Sequence, residues 1–474
     1  MTQKNNFIAA IDIGTTKIVA IVGRKEENNS FRILGIGKAS SKAAVKRGII
    51  LNIEETVNAI KDALEQVQNI TGLTLSEVFV GIAGQHIKSI TNRGYVNRDS
   101  YETEISTEDI EALIEDMRRT PIDVGEQIIH VLPQSYIVDN ECGVKHPVGM
   151  YGKRLEGNFH IVIGQTTSIN NINKCVNRVG LSIEGLILEP LASSFAVISE
   201  DEKEAGVALV DIGGGTTDLA VYYDGIIRHT AVIPFGGNVI TGDIKTGFAI
   251  LERYAEQIKV EFGSALAEVT KDNEVVTIPG INGREPKEIS LKSLAQVIQA
   301  RMEEIIGAIY FQIENSGFSD KLGAGIVITG GGAMLKNLPQ LVAFKTGLDV
   351  RIGYPNEHLV SDTDEDVNHP MFSTSIGLIL QGYENLKNSN KYSDEYIFED
   401  NFISNTEEEE MKEEEYYEKE TVETEEDSVK TNEEEDSFEH KTKNKKPRNE
   451  NKSTIFKLIK QGLADIFEDK DGKM

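Results

Sequence analysis

One short phrase occurs twice in the sequence, with about two hundred residues between the copies. Residues 10–19 read AIDIGTTKIV and residues 210–219 read VDIGGGTTDL. Each copy joins two apolar runs through a turn of glycine and threonine, which is the pattern of a β-hairpin with an aspartate at the end of its first strand. Two such hairpins in one chain predict two related halves that hold a phosphate-bearing ligand between them.

The two turns carry groups that bind anions. Gly14–Lys17 offers backbone N–H groups, two hydroxyls and an ammonium group, and Gly213–Thr217 offers three glycines and two hydroxyls. Glycine tolerates positive φ and lets a phosphate approach the backbone closely. The carboxylates of Asp12 and Asp211 do not bind phosphate directly. We therefore expect them to hold Mg²⁺ between themselves and the phosphates, largely through water.

A third glycine turn lies further along the chain. Residues 324–329 form an apolar run that leads into Gly330–Gly332, and a helical pattern follows. No acidic residue accompanies this turn, so phosphate is not its expected ligand. Its small residues leave room for a flat group such as adenine, although the same triplet is equally typical of a packing turn.

Two segments between these motifs differ from their surroundings. The length of 474 residues predicts about three domain-sized units. Residues 86–163 are more polar than the sheet-forming runs around them, and residues 246–320 separate the second hairpin from the third glycine turn, with β-like pieces at 266–289. We expect each segment to be an inserted subdomain. Residues 53–67 carry apolar side chains at three- and four-residue spacing, which predicts a helix.

Composition narrows the class of protein. The net charge is −28, but most of the acidic excess falls in residues 394–439, so the charge describes a tail and gives no reason to expect a nucleic-acid partner. Two cysteines cannot build a disulfide framework or a zinc site. The N-terminus runs directly into a strand, and no long apolar stretch occurs, so we expect a cytoplasmic protein without a signal peptide or a membrane span.

The C-terminal region has a different composition. Residues 389–452 are acidic and then basic, which is typical of a disordered linker, and a flexible chain of this length reaches roughly 45 Å. Residues 453–470 predict an amphipathic helix that either packs on the body or lies in a membrane interface, and the long linker favours the membrane. The expected partners are anionic or zwitterionic membrane lipids, bound more through insertion of Phe and Ile side chains than through charge, and the basic run at 441–448 would supply the charge that the helix lacks. The apolar face of the helix contains Ile455, Phe456, Ile459, Leu463, Ile466 and Phe467.

The order of the three turns resembles the ATP-binding arrangement of the actin, Hsp70 and sugar-kinase superfamily. Within it, the chain resembles the FtsA family of bacterial cell division, because residues 130–139 (HVLPQSYIVD) and 147–156 (PVGMYGKRLE) resemble the insertion in the first half of that family. The resemblance covers residues 6–388, and the C-terminal helix agrees with it. It implies an α/β, actin-like two-lobed ATPase fold: two ribonuclease-H-like halves with inserted subdomains, a disordered acidic linker and a C-terminal amphipathic helix.

The resemblance also implies a division into domains. We expect a first actin-like subdomain, its insertion, a second actin-like subdomain, its insertion, the linker and the membrane helix. The corresponding residues are 6–85 plus 164–204, 86–163, 205–245 plus 321–388, 246–320, 389–452 and 453–470.

Individual nucleotide-binding roles follow from the same resemblance. Asp211 and Glu189 are the catalytic candidates, since Glu189 resembles the connecting-helix residue that orients the attacking water. Glu256 and Lys259 resemble the pair that contacts ribose and base, although their spacing alone is typical of a surface ion pair. The positions expected to bind ATP are Asp12, Gly14, Thr15, Thr16, Lys17, Gly213, Gly214, Gly215, Thr216, Thr217, Gly236, Gly237, Glu256, Lys259, Gly330, Gly331, Gly332 and Ala333.

By resemblance, the chain is an ATP-binding cell division protein with slow hydrolysis at most. It is expected to form filaments, to bind the C-terminal peptide of FtsZ through residues 246–320, to tether the FtsZ ring to the cytoplasmic face of the membrane at the division site, and to help recruit later divisome proteins. The alternatives are a small-molecule kinase, a chaperone-like ATPase or a PilM-like assembly ATPase. A kinase needs a carboxylate base beside a substrate pocket, and a chaperone needs a folded peptide-binding domain after residue 388.

Overall fold

The structure is a computed structural model that describes residues 7–26, 30–41, 44–271, 273–280, 285–360, 366–388 and 440–442. The predicted amphipathic helix and nearly all of the predicted linker lie outside these residues. Among the helices that are described, none has both the length and the apolar character needed to cross a bilayer.

The first half opens with three antiparallel strands followed by a helix. Its elements are β1 (Ile8–Ile13), β2 (Lys17–Lys25), β3 (Phe31–Ser40), β4 (Val45–Lys46), β5 (Ile49–Ile50), α1 (Ile53–Thr71) and β6 (Glu77–Ile82). Asn52 caps α1 by accepting a hydrogen bond from the backbone N–H of Glu55, and Gly72 ends the helix with a φ of 66°. Val57 and Ile60 lie on its buried face, which confirms the predicted helix.

The next elements form a separate sheet. They are β7 (Ile87–Asn97), α2 (Thr107–Met117), β8 (Glu126–Val138), β9 (Glu141–Val144) and β10 (Arg154–Gln165). The strand order is β7-β10-β8-β9, and every pair is antiparallel. Leu113 and Met117 of α2 pack with Leu155 and Phe159 of β10 to form the core of this sheet. We call residues 87–165 the inserted sheet.

The chain then returns to the first sheet before it enters the second half. The returning elements are α3 (Thr166–Arg178), β11 (Ser182–Leu188), α4 (Glu189–Val197) and α5 (Glu200–Ala205). The completed first sheet has the order β11-β6-β1-β2-β3, in which β6 and β11 are parallel to β1 and the hairpin strands are antiparallel.

The second half repeats this topology. Its elements are β12 (Val207–Ile212), β13 (Thr217–Tyr223), β14 (Ile226–Ile233), α6 (Gly237–Phe248), α7 (Glu252–Phe262), β15 (Glu274–Ile278), β16 (Lys287–Ser290), α8 (Leu291–Asn315), β17 (Ile326–Thr329), α9 (Leu338–Thr346), β18 (Val350–Ile352) and α10 (Ser373–Asn388). The sheet order β14-β13-β12-β17-β18 has the same strand directions as β3-β2-β1-β6-β11. The duplication predicted from the repeated phrase is therefore confirmed at the level of the sheets.

A small sheet belongs to the second half. It contains β15, β16 and β19 (His440–Thr442), and β19 pairs antiparallel with β15 although it lies within the predicted linker. The prediction of β-like pieces across 266–289 is too broad, because the strands begin only at Glu274. Before them, Ser264 exchanges side-chain hydrogen bonds with the backbone of Leu266, which favours a local turn over a strand ladder.

Helices α4 and α10 join the two halves. Helix α4 follows the last strand of the first sheet, and α10 comes from the end of the second half yet packs on β1, β2 and β6. The helices cross so closely that a Cβ atom on Gly377 would collide with the carbonyl of Ala192. This crossing holds the ends of β1 and β12 next to each other.

Candidate nucleotide site between the two halves

The turn between β1 and β2 faces the turn between β12 and β13. A Cβ atom on Gly214 would collide with Thr16 Oγ1, and one on Gly215 would collide with Thr15 Oγ1. These glycines are needed because the two turns approach each other closely. In the described structure none of the glycines in either turn has positive φ, so the expected role of positive φ is wrong at these positions.

The third glycine turn lies against the end of β12. Gly330 has a φ of 82°, and a Cβ atom there would collide with Asp211 Oδ1. A Cβ atom on Gly332 would collide with the side chain of Ile212. At Gly330 both the backbone conformation and the close approach require glycine. The three turns that the sequence singled out therefore converge on one place.

A cavity of about 380 Å³ lies between the turns. Three expected residues do not line it: Thr217 donates a hydrogen bond to the carbonyl of Phe235, Gly236 packs on the backbone of the second turn, and Ala333 is fully buried. The expected residues that do line it are Asp12, Gly14, Thr15, Thr16, Lys17, Glu189, Asp211, Gly213, Gly214, Gly215, Thr216, Gly237, Glu256, Lys259, Gly330, Gly331 and Gly332.

Hydroxyl groups on α4 and α10 hold the two strand-end aspartates. Ser375 donates a hydrogen bond of 3.0 Å to Asp12, and Ser193 donates one of 2.6 Å to Asp211. Thr374 donates a second bond of 3.1 Å to Asp211. Burial raises the pKa of both carboxyl groups above the usual range, and the Lys17 ammonium offsets part of that rise.

Asp218 is a further acidic residue of the cavity that was not predicted from the sequence. Asp218 lies directly across from Asp211 in the β12–β13 register, so the two side chains share one face of the hairpin. Its Oδ2 accepts a hydrogen bond from Thr216, while its buried Oδ1 has no partner among the described residues. The signal was available, because Asp218 is part of the second phrase.

The cavity therefore concentrates carboxyl groups. Burial, reinforced by the neighbouring carboxylates, raises the pKa of both Glu189 and Asp218 well above the usual range. A cation that enters the cavity would stabilise the ionised form of such a carboxyl group. No three His, Cys, Asp or Glu side chains of the described segments lie close enough to hold an ion directly. The carboxyl oxygens of the cavity therefore fit an ion that keeps several of its water ligands, as Mg²⁺ does.

Lys17 is not directed at the centre of the first turn. Its Nζ donates a hydrogen bond of 2.6 Å to the carbonyl of Met371 and lies 4.2 Å from the centre of the Phe372 ring. Burial lowers the pKa of this ammonium group to about 8. A bound anion would have to compete with the Met371 carbonyl for Lys17.

An ion pair and several apolar side chains also belong to the lining of the cavity. Glu256 and Lys259 form an ion pair of 2.7 Å there, and Lys259 also donates hydrogen bonds to Thr241 and to the carbonyl of Gly237. Glu256 and Lys259 therefore line the cavity. The alternative, from their spacing alone, had been an ion pair on the surface with no part in a site. Apolar side chains also line the cavity: Ile240, Val260, Met302, Met334 and Leu335.

Comparisons with known proteins concern the family and the fold of this chain. A family model described as "Cell division protein FtsA" matches residues 208–377, and another described as "SHS2 domain inserted in FTSA" matches residues 84–163. A solved chain described as "PilM-PilN type IV pilus biogenesis complex" superposes with a TM-score of 0.58 at 15% identity, over 80% of this chain and 99% of that chain. The structural likeness concerns the fold alone, and the predicted actin-like fold is confirmed.

Curated relatives establish the family. Cell division protein FtsA of Pseudomonas aeruginosa is 39% identical over 383 residues, which are 81% of this chain and 90% of that protein. The FtsA of Escherichia coli strain K12 is 34% identical, over 80% of this chain and 90% of that protein. The FtsA of Bacillus subtilis is 33% identical, over 80% and 83%. The chain therefore belongs to the FtsA family of cell division proteins.

Proposed function

We propose that the cavity binds ATP with Mg²⁺. The observation that carries this proposal is the convergence of the three glycine turns on the buried carboxyl groups of Asp12, Asp211 and Asp218. The turns suit a phosphate chain, the apolar part of the lining suits adenine, and Asp12 with Asp211 would hold the ion largely through water. Bound Mg²⁺ would neutralise charge between the carboxylates and the phosphates. Glu189 and Asp211 would orient a water molecule for slow hydrolysis, with Asp218 beside them.

Isothermal titration calorimetry with Mg²⁺–ATP tests this assignment. Asp211→Asn keeps the size of the side chain but removes its charge, so we expect affinity to fall at least about tenfold, the usual effect of losing a charged polar contact. Asp116→Asn removes a charge from an exposed position on α2 and serves as the control. Equal affinities for wild type and Asp211→Asn would contradict the proposal.

We further propose that the protein forms filaments and tethers the FtsZ ring to the cytoplasmic face of the membrane at the division site, where it helps recruit later divisome proteins. Membership of the FtsA family supports this role. The second support is the sequence of residues 453–470, which predicts a helix with one apolar face. A linker of more than sixty residues precedes this helix. Such a helix would lie in the membrane interface, and residues 246–320 would take the C-terminal peptide of FtsZ.

Vesicle flotation separates these contributions. Intact protein is mixed with anionic or zwitterionic vesicles, with and without FtsZ and ATP, beside a variant that lacks residues 453–474. Phe456→Glu places a charge on the apolar face, and Gln461→Glu places the same charge on the polar face as a matched control. We expect truncation and Phe456→Glu to abolish flotation of the protein and of FtsZ. Flotation that survives both changes would refute the tether.

A further inference from the structure

The segment that precedes α10 closes one side of the cavity. A short turn, Pro370–Phe372, leads into the helix, and His369 stands immediately before it. His369 and Met371 both line the cavity, together with Thr374 from the first turn of α10. No sequence pattern singles out this segment, because it contains neither a glycine turn nor a copy of the repeated phrase.

The hydrogen bonding of His369 determines which ring nitrogen carries its proton. The backbone N–H of Met371 donates a hydrogen bond of 3.2 Å to Nδ1 of His369. A nitrogen that accepts a hydrogen bond carries no proton, so the neutral ring has its proton on Nε2. Burial lowers the pKa of His369, and the nearby ammonium groups of Lys17 and Lys38 lower it further. His369, which lines the cavity, therefore has a neutral ring of fixed tautomer with an N–H donor at Nε2.

The surroundings of this donor attract anions. Lys17 Nζ and Lys38 Nζ lie 4.2 and 4.6 Å from the centre of the same ring, that of Phe372. Asp366 is the acidic group that acts on His369, and it is exposed. Lys17 and His369 both line the cavity, so this part of the lining has an ammonium group and a histidine ring, with the ammonium group of Lys38 over the same Phe372 ring as Lys17.

We propose that His369 is a phosphate-binding residue, whose Nε2–H donates a hydrogen bond to the phosphate chain of a bound nucleoside triphosphate. This inference rests on the proposed nucleotide function of the cavity. It adds a contact from outside the three glycine turns. Because His369 is joined through Met371 to the start of α10, the contact would link the phosphates to the helix that packs across both halves.

Two substitutions separate the roles of the two ring nitrogens. In His369→Asn, the amide oxygen can accept the Met371 N–H in place of Nδ1, but no donor reaches the position of Nε2. In His369→Gln, the longer side chain restores a donor near Nε2. We expect Asn to weaken Mg²⁺–ATP binding about tenfold and Gln to stay within about threefold of wild type. His146→Asn, at an exposed position on the inserted sheet, is the control.

A second measurement uses the unmodified chain. In nitrogen-detected NMR of histidine-labelled protein, we expect the Nε2–H resonance of His369 to shift when Mg²⁺–ATP is added, while Nδ1 keeps the shift of an acceptor. If wild type binds ATP but His369→Asn binds equally well and the resonance does not move, the inference falls and the nucleotide function stands. If wild type binds no ATP, the nucleotide function falls and the inference falls with it.

Discussion

We expect acidification to weaken the contact between the inserted sheet and the second half, because this contact contains a histidine that is neutral in the folded protein. His160 of β10 is 2% exposed, and its Nε2 lies 2.8 Å from Thr230 Oγ1 in β14. Burial, with a smaller contribution from His229, lowers the pKa of His160 from 6.5 to about 4. Protonation would leave a charge in a site that water does not reach.

The sign and size of the effect follow from these two pKa values. Between pH 6.5 and about 4 the unfolded chain binds more protons than the folded one, so stability is fully present above 6.5 and is lost as the pH falls. The full difference corresponds to about 3 kcal/mol, at roughly 1.4 kcal/mol for each pH unit between the two values. About 2 kcal/mol of this is lost by pH 5.

Urea unfolding at pH 7 and pH 5 measures this loss. His160→Gln keeps a polar group near Thr230 but does not titrate, so we expect the variant to lose about 2 kcal/mol less than wild type between the two pH values. His86 and His130, whose pKa values are also lowered to about 4, titrate in both proteins and cancel in the comparison. Parallel loss of stability in the two proteins would refute the reasoning.

Two glycine substitutions test the close contacts of the fold. Gly214→Ala places a methyl group against Thr16, so we expect weaker Mg²⁺–ATP binding in calorimetry, with a cost of about 1–3 kcal/mol for the overpacked turn; unchanged affinity would show that the turns separate freely. Gly377→Ala places a methyl group against the carbonyl of Ala192, and we expect a similar loss of stability in urea unfolding. Gly307→Ala on α8, where a methyl group meets nothing within 4 Å, should be neutral or stabilising.

The repeated phrase carried most of what the sequence could reveal about the fold. Each copy predicted a hairpin, and the two hairpins lie at equivalent places in two sheets of the same order. Local patterns suffice for this because hairpins and helices form from neighbouring residues. The convergence of the three glycine turns was predicted from the family resemblance, which supplied the order in which such turns surround a ligand.

Local sequence patterns could not predict the residues that reach the site from distant segments of the chain. Ser193, Thr374 and Ser375 hold the two strand-end aspartates from α4 and α10, and nothing in the spacing of either helix marks these hydroxyls. The direction of Lys17 depends on the carbonyl of Met371, more than three hundred residues away. Contacts of this kind arise only when α10 packs back on the first sheet.

Aligned without a gap, the two phrases reveal a complementarity that their likeness hides. Thr15 and Thr16 of the first turn correspond to Gly214 and Gly215 of the second, and in space each threonine fills the room left by one of these glycines. Two identical turns would either collide or leave a gap.

The neighbouring positions differ in charge. Lys17 corresponds to Thr216, and Asp218 corresponds to Val19, which is fully buried. The first half therefore supplies an ammonium group where the second has a hydroxyl, and the second half supplies a carboxylate where the first has a methyl-bearing side chain. The backbones of the halves are duplicated and each half supplies a strand-end aspartate, but the first turn adds an ammonium group and the second hairpin adds a further carboxyl group. A phosphate chain that carries a metal ion on one side matches this asymmetry, whereas a uniformly charged anion would meet the carboxylates of β12 and β13 unshielded.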